Sequence, residues 1–301
     1  MSDSKETTAD QSIFEIISLT EIELEDVLKN MEALYYVFPI SKGGKRKRWI
    51  SAPRKKLKDI QTAILFKLLY QQNVHHCAHG FVPRRSIVTN ARPHLQQQWV
   101  ANFDIHSFFP STKESAIRKV FYRYFNLSEH FIDQLILLCT RNGELPQGAP
   151  TSPCIANLVM YDADCIIQDY AEENNLVYTR YADDLTLSGN VIPRSIQKDI
   201  QDILTPFGYE LAHHKSKILG QHKRQMVTGL VVNEKINLPR PIRKQLRAII
   251  HDIGKHGIEH ALARSDFNME QIIGRISLQA MWDKEAAHNQ ILELAQALDL
   301  H

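Results

Sequence analysis

The sequence has no run of eighteen apolar residues, so it offers no candidate membrane-spanning helix. Its start, MSDSKETTAD, lacks a basic stretch followed by an apolar one. That excludes a secretory signal and points to the cytoplasm. Only four cysteines occur, Cys77, Cys139, Cys154 and Cys165, with no Cys-x-x-Cys spacing. A disulfide scaffold and a ribbon-type zinc site are therefore excluded, and the four read as reduced thiols. Glycine and proline number 12 each, too few for a collagen-like chain, and no internal repeat or low-complexity linker is present. What remains is ordinary globular composition, 44% hydrophobic and 23% charged. A length of 301 residues suggests two packing units.

The net charge of +2 is an average over unlike parts. Residues 1–30 carry eight acids and two bases, a net of −6. Residues 41–58 carry nine bases and no acid, and residues 213–247 nine bases and one acid. Two basic blocks of this density point to a polyanion, because clustered Lys and Arg attract phosphate and release its counterions. Flanking an acid-rich remainder, they favour nucleic acid over two merely solvated faces.

Hydrophobic periodicity gives a mixed α and β chain. Residues 11–37 read as an amphipathic helical region with Ile13, Ile16, Ile17, Leu24, Val27 and Leu28 inward. Lys42-Gly43-Gly44-Lys45 marks a turn, Trp49-Ile50 starts a strand that Pro53 ends, and Leu57 to Tyr70 is helical. Trp99 to Ile105 alternates as a strand and ends at Asp104. Residues 129–139 and 153–173 each read as one helix, 176–188 as two strands around Ala182-Asp183-Asp184, and 227–232 as a strand interrupted by Gly229. The last 60 residues are helical. Ile242, Leu246, Ile249, Ile250 and Ile253 make one apolar face, with Arg240, Arg243, Lys244 and Arg247 on the other side.

Two acidic sites carry chemistry. Asp104 ends a strand, and Asp183-Asp184 sits on a tight turn with apolar flanks. Adjacent carboxylates raise each other's pKa unless a cation compensates them. Carboxylate oxygen suits Mg²⁺, and two ions roughly 3.5–4 Å apart serve in-line phosphoryl displacement. The run His75-His76-Cys77-Ala78-His79 also concentrates ligand types, but no second pair accompanies it, and no metal is assigned there.

Tyr181-Ala182-Asp183-Asp184 resembles the polymerase signature of reverse transcriptases. Phe103-Asp104-Ile105 with Phe108-Phe109-Pro110 resembles the motif holding their first aspartate. Leu145 to Pro153 resembles the loop supporting template and nucleotide. Gly208 to Leu211 with Lys215-Ser216 resembles the following motif, and Lys45 to Pro53 with Leu57 to Gln61 the fingers. Asn90-Ala91-Arg92-Pro93-His94 and Val227-Thr228-Gly229 resemble segments of the retron-type enzymes in particular. One position departs: Ala212 stands where the family often has Asn.

The resemblance implies an α+β right hand. It would comprise an acidic N-terminal helical segment (1–30), fingers and palm with an antiparallel sheet (31–232), and a helical thumb that recognises RNA (233–301). It implies that Asp104, Asp183 and Asp184, with the Ile105 carbonyl, hold two Mg²⁺ ions. Arg46, Lys47 or Arg48 would clamp the triphosphate, which of them being open. Phe109 would exclude the 2′-OH, Gln147 would meet primer-template and nucleotide, and Lys215 would face the triphosphate. Arg240, Arg243, Lys244 and Arg247 would contact RNA. The implied activity is synthesis of multicopy single-stranded DNA (msDNA) from a structured non-coding RNA. It would be primed from an RNA 2′-OH, consume dNTPs and serve anti-phage defence with a separately encoded effector. Alternatives are a group II intron-like or other bacterial reverse transcriptase, and an inactive palm kept as an RNA-binding scaffold.

Overall fold

A computed structural model of the protein describes residues 14–41 and 47–299. Ile13, Lys42 to Lys45 and Arg46 therefore lie outside the described residues. Among the described residues no helix is long and apolar enough to cross a membrane.

Helix α1 (Glu21–Lys29) opens on a capping box in which Thr20 and Glu23 satisfy each other's backbone N–H. Its Leu24 and Val27, with Ile17, enter the main core, and Ile16 and Leu28 pack against that core. The helical region expected to reach residue 37 ends earlier. Tyr35–Ser41 is strand β1, paired antiparallel with β2 (Lys47–Pro53). Tyr35-Tyr36-Val37-Phe38 is aromatic and β-branched, a composition that prefers the pleated form once a partner strand is available. Helix α2 (Lys55–Lys67) then buries Leu57, Ile60 and Ile64 as one stripe.

The central sheet has four antiparallel strands in the order β4-β5-β3-β6. These are β3 (Trp99–Asp104), β4 (Val177–Tyr181), β5 (Asp184–Gly189) and β6 (Lys217–Gly220). Alternation along β3 sends its side chains to two different cores. Ala101 and Phe103 join the main core with Leu185 and Leu187 of β5. Helices α3 (Ile87–Ala91) and α4 (Phe108–Ser111) flank β3 in sequence, and α5 (Glu114–Tyr124), α6 (Glu129–Cys139), α7 (Ser152–Val159), α8 (Tyr161–Glu173) and α9 (Ile196–Leu204) follow. Ile117, Ile132, Ile155, Ile167 and Ile200 of the last five fill the main core. Val100 instead packs with Val88, Ala91, Val227, Leu230, Ile236 and Leu238 on the opposite face of the sheet.

Two expected elements divide. The helix read over 153–173 breaks at Met160, where ψ falls to −9°. The first half is apolar and buried almost throughout, whereas the second is amphipathic, with Asp162, Asp169, Glu172 and Glu173 exposed, and neither Gly nor an internal Pro marks the join. The break re-aims α8 so that Asp164 meets Arg180 on β4. The strand read over 227–232 is a hairpin of β7 (Met226–Val227) and β8 (Leu230–Val231). Thr228 and Gly229 turn it with φ of 46° and 83°, the positive values that a tight hairpin needs.

The C-terminal helices have a core of their own. Leu246, Ile250 and Ile253 of α10 (Arg240–His256) pack with Ile272 and Ile276 of α12 (Met269–Gln279) and Leu294 of α13 (Lys284–Asp299). Short α11 (Ile258–Ala263) contributes Ala261.

Candidate active site

Register brings the first pair of acids together. Asp104, last residue of β3, lies opposite Asp184, first residue of β5. Asp183 occupies the β4–β5 turn, where Ala182 takes a left-handed φ of 58°. The Ile105 N–H donates to the Asp183 carbonyl at 2.9 Å, and the Ala212 N–H to the Asp104 carbonyl at 2.7 Å. The Lys215 ammonium donates to both Asp104 oxygens at 2.7 and 2.8 Å.

That single lysine does not neutralise three carboxylates. Desolvation, then the Asp104 charge, raises the Asp183 pKa against the opposing pull of Lys215 and Arg48. Asp184 is pushed up to about 6, by desolvation first and then by Asp183 and Asp104. Asp184 keeps one side open to solvent; the crowding comes from the strand turn and its carboxylate neighbours. An all-oxygen donor set of excess negative charge fits a hard divalent cation.

Asp104 and Asp183 line a cleft of about 720 Å³. Asp104, Ile105, Asp183 and Lys215 form one wall, and Lys47, Arg48 and Trp49 of β2 another. Gln147 and Phe109 also line it. The loop carrying Gln147 is strapped to β2, since the Ser51 N–H donates to the Gln147 carbonyl at 2.8 Å. Gly148, at φ 131°, allows that approach, because a Cβ there would lie 3.0 Å from the Ser51 carbonyl oxygen. Phe109 packs on Phe108 and Phe81, with ring centroids 5.6 and 6.3 Å away.

Of the expected nucleotide-site residues, Lys47, Arg48, Phe109, Gln147 and Lys215 share this cleft, and Arg46 lies outside the described residues. Sequence reading missed Trp49 and His214 as lining residues, and also Phe81, whose backbone is left-handed at φ 61°. No pattern signals such a φ in a bulky residue. Arg240, Arg243, Lys244 and Arg247 are elsewhere, on α10. Lys244 and Arg247 line a second concavity of about 670 Å³ with His251, Asp252 and Arg264. Arg243 does not line it; it is half-buried, with its Nε enclosed.

His75 and Cys77 converge with Asp164 closely enough for a metal, yet the chemistry is against it. Asp164 already accepts from Arg180 Nε and Nη2 and from the Tyr178 hydroxyl. Burial also pushes the Cys77 thiol far up, away from the thiolate a metal needs.

Comparison with known proteins fits this geometry. A family model described as reverse transcriptase (RNA-dependent DNA polymerase) matches residues 40–232, more than half of the chain. The Retron Ec86 reverse transcriptase of Escherichia coli is 36% identical over 234 residues, covering 75% of this chain and 73% of that one. The chain belongs to the retron reverse transcriptases. The Retron Mx162 reverse transcriptase of Myxococcus xanthus is 32% identical over 303 residues, covering 88% of this chain and 61% of that protein. Among solved structures, the telomerase of Candida albicans in complex with a fragment of telomeric RNA superposes with a TM-score of 0.50. It is 10% identical and covers 88% of this chain and 61% of that one, a likeness of fold alone. The right-hand polymerase fold and RNA-directed DNA polymerase activity follow from family membership, and such enzymes generally use divalent metal ions.

Proposed function

We propose that this chain is the DNA-synthesising enzyme of a retron. It copies part of a structured non-coding RNA into msDNA, starting from the 2′-OH of a guanosine in that RNA. The setting is the cytoplasm and anti-phage defence, with a separately encoded effector as partner. The reading rests on one observation: Asp104 and Asp183 share a single cleft with cationic and aromatic side chains, and Asp184 adjoins them across the strand register.

Asp104, Asp183 and Asp184, with the Ile105 carbonyl, would hold two Mg²⁺ ions. When bound, the ions supply an activated primer hydroxyl and charge neutralisation at the triphosphate. Arg48, with Lys47, donates hydrogen bonds to the triphosphate, a task the planar guanidinium suits. Gln147 meets the primer-template and nucleotide. Phe109 fills the space a 2′-OH would need. Lys215, about half exposed, can exchange the Asp104 carboxylate for a phosphate oxygen. Residues 233–301 act as the thumb, and the basic side of α10 tracks RNA backbone, since structured RNA is read largely through shape and phosphates.

The test is to sequence the nucleic acid that co-purifies with the protein. A branched RNA–DNA molecule from one structured RNA is expected; RNA with no attached DNA would overturn the msDNA reading. The Asp183→Asn protein should fold and hold the same RNA without DNA. Primer extension retained by that variant would refute the carboxylate assignment. A host carrying it should also lose protection against phage.

A further inference from the structure

Arg180 is among the largest side chains with no solvent exposure, and its partner Asp164 is equally buried. Taking both charges out of water costs several kcal/mol per ion, and an apolar pair of similar volume is often as stable. Stability alone therefore does not explain the pair. The disposition of the guanidinium does.

Nε and Nη2 are committed to Asp164, at 2.8 and 2.6 Å from its two oxygens. Nη1 faces the other way. It donates to Asn157 Oδ1 at 2.9 Å and to the Ala182 carbonyl at 3.1 Å. That carbonyl belongs to the peptide joining Ala182 to Asp183. Ala182 is the left-handed residue of the turn, a conformation that costs a side-chain-bearing residue about 1–2 kcal/mol. Holding its carbonyl fixes the plane from which the Asp183 side chain departs.

The same turn is gripped from a second side. Asn157 passes the network on by donating to the Gly80 carbonyl at 2.9 Å. Gly80 packs so closely that a Cβ there would lie 2.5 Å from the Ala182 nitrogen. The segment before Gly80 is bound to β4, with the Arg180 N–H donating to the Cys77 carbonyl at 2.8 Å and the His79 N–H to the Arg180 carbonyl at 2.7 Å. The Tyr178 hydroxyl secures Asp164 at 2.9 Å.

We propose that Arg180, oriented by Asp164 and Asn157, is a positioning residue that presets the Asp183-Asp184 turn for cation binding. This rests on the reading of those carboxylates as metal ligands. A residue orienting metal ligands changes metal affinity or turnover by about 10- to 100-fold when altered.

The test uses Arg180→Lys, which keeps the charge but not the fork, and Asn157→Ala, which leaves the ion pair intact. Asp183→Asn serves as the reference. Thermal unfolding, primer-template affinity, Mn²⁺ affinity of the free protein by electron paramagnetic resonance, and kcat and KM for dNTP are measured on each. The expected result is a cooperative unfolding transition, unchanged primer-template affinity, Mn²⁺ affinity weakened about tenfold and a lower kcat that excess Mn²⁺ partly restores. If Arg180→Lys fails to fold, Asn157→Ala carries the test. Folded variants that bind Mn²⁺ as the parent does overturn the proposal. If Asp183→Asn also binds Mn²⁺ as the parent does, the carboxylate reading fails first. If only Asp183→Asn loses Mn²⁺, positioning fails alone.

Discussion

Asp104 and Asp184 face each other across the antiparallel register of β3 and β5. Like charges directly opposite are destabilising in a sheet. Asp184 is raised to about 6 from an ordinary value of 3.8. The metal-free folded state thus holds a proton that the unfolded chain has released between those two values. Its contribution to stability is present below pH 3.8 and is lost as pH rises through 6. Asp184→Asn is expected to raise the thermal midpoint of the metal-free protein at pH 7 and to abolish DNA synthesis. An unchanged or lower midpoint, read by calorimetry in chelator, would show that the turn tolerates its charge.

Phe109 is half-buried, held between Phe108 and Phe81 at the cleft wall. Phe109→Ala should leave dNTP incorporation measurable and reduce discrimination against ribonucleotides by about tenfold or more. The assay is competitive incorporation of rNTP and dNTP on one template. Unchanged sugar selection would make Phe109 a packing residue only.

On α10 the four basic residues separate by environment. Lys244 and Arg247 line the second concavity, whereas Arg243 is half-buried. Lys244→Ala and Arg247→Ala should each weaken RNA binding and reduce the slope of log affinity against log salt by about 1. Arg243→Ala should lower the unfolding midpoint and leave the slope nearly unchanged. Equal slopes in parent and all three variants would place the RNA contact elsewhere.

Much of the site was legible because it depends on short-range pattern. Strand alternation from Trp99 placed Asp104 at a strand end, and the apolar flanks of Asp183-Asp184 placed those acids on a hairpin turn. What stayed hidden depends on contacts distant in sequence. Arg180 reads as an ordinary charged residue until α8 brings Asp164 to it. Phe81 and Ala182 adopt left-handed backbone that no residue type announces. Tyr35 to Ser41 follows a helix closely, and only pairing with β2 makes it a strand.

His94 sits within the sheet's polar seam, its two nitrogens 2.6 Å from Ser188 Oγ and 2.7 Å from Thr179 Oγ1. A neutral imidazole supplies one donor and one acceptor there. Burial depresses its pKa to about 3, against 6.5 when unfolded. The unfolded chain therefore binds a proton that the folded one refuses. This contribution is present above pH 6.5 and is lost as pH falls toward 3. His79, depressed to about 4, acts in the same direction. His94→Gln should destabilise the protein at pH 7 and flatten the fall in urea midpoint between pH 7 and 4. A parallel fall in parent and variant would show that other groups set the acid limit.

Lys215 is bonded to both oxygens of Asp104 while its side chain stays 48% exposed. Under the proposed function, in which Lys215 meets the triphosphate, two roles fit it: proton delivery to the leaving pyrophosphate, or charge neutralisation. Its engagement with a carboxylate and its solvent access favour the second. An Arg in its place keeps the charge but cannot release a proton. Lys215→Arg should therefore retain kcat within about tenfold and keep the shape of the pH–rate profile, whereas Lys215→Ala should lose about 100-fold, the scale of removing one preorganised donor. Loss of the alkaline limb in the Arg variant, with binding unchanged, would instead assign Lys215 as the proton donor.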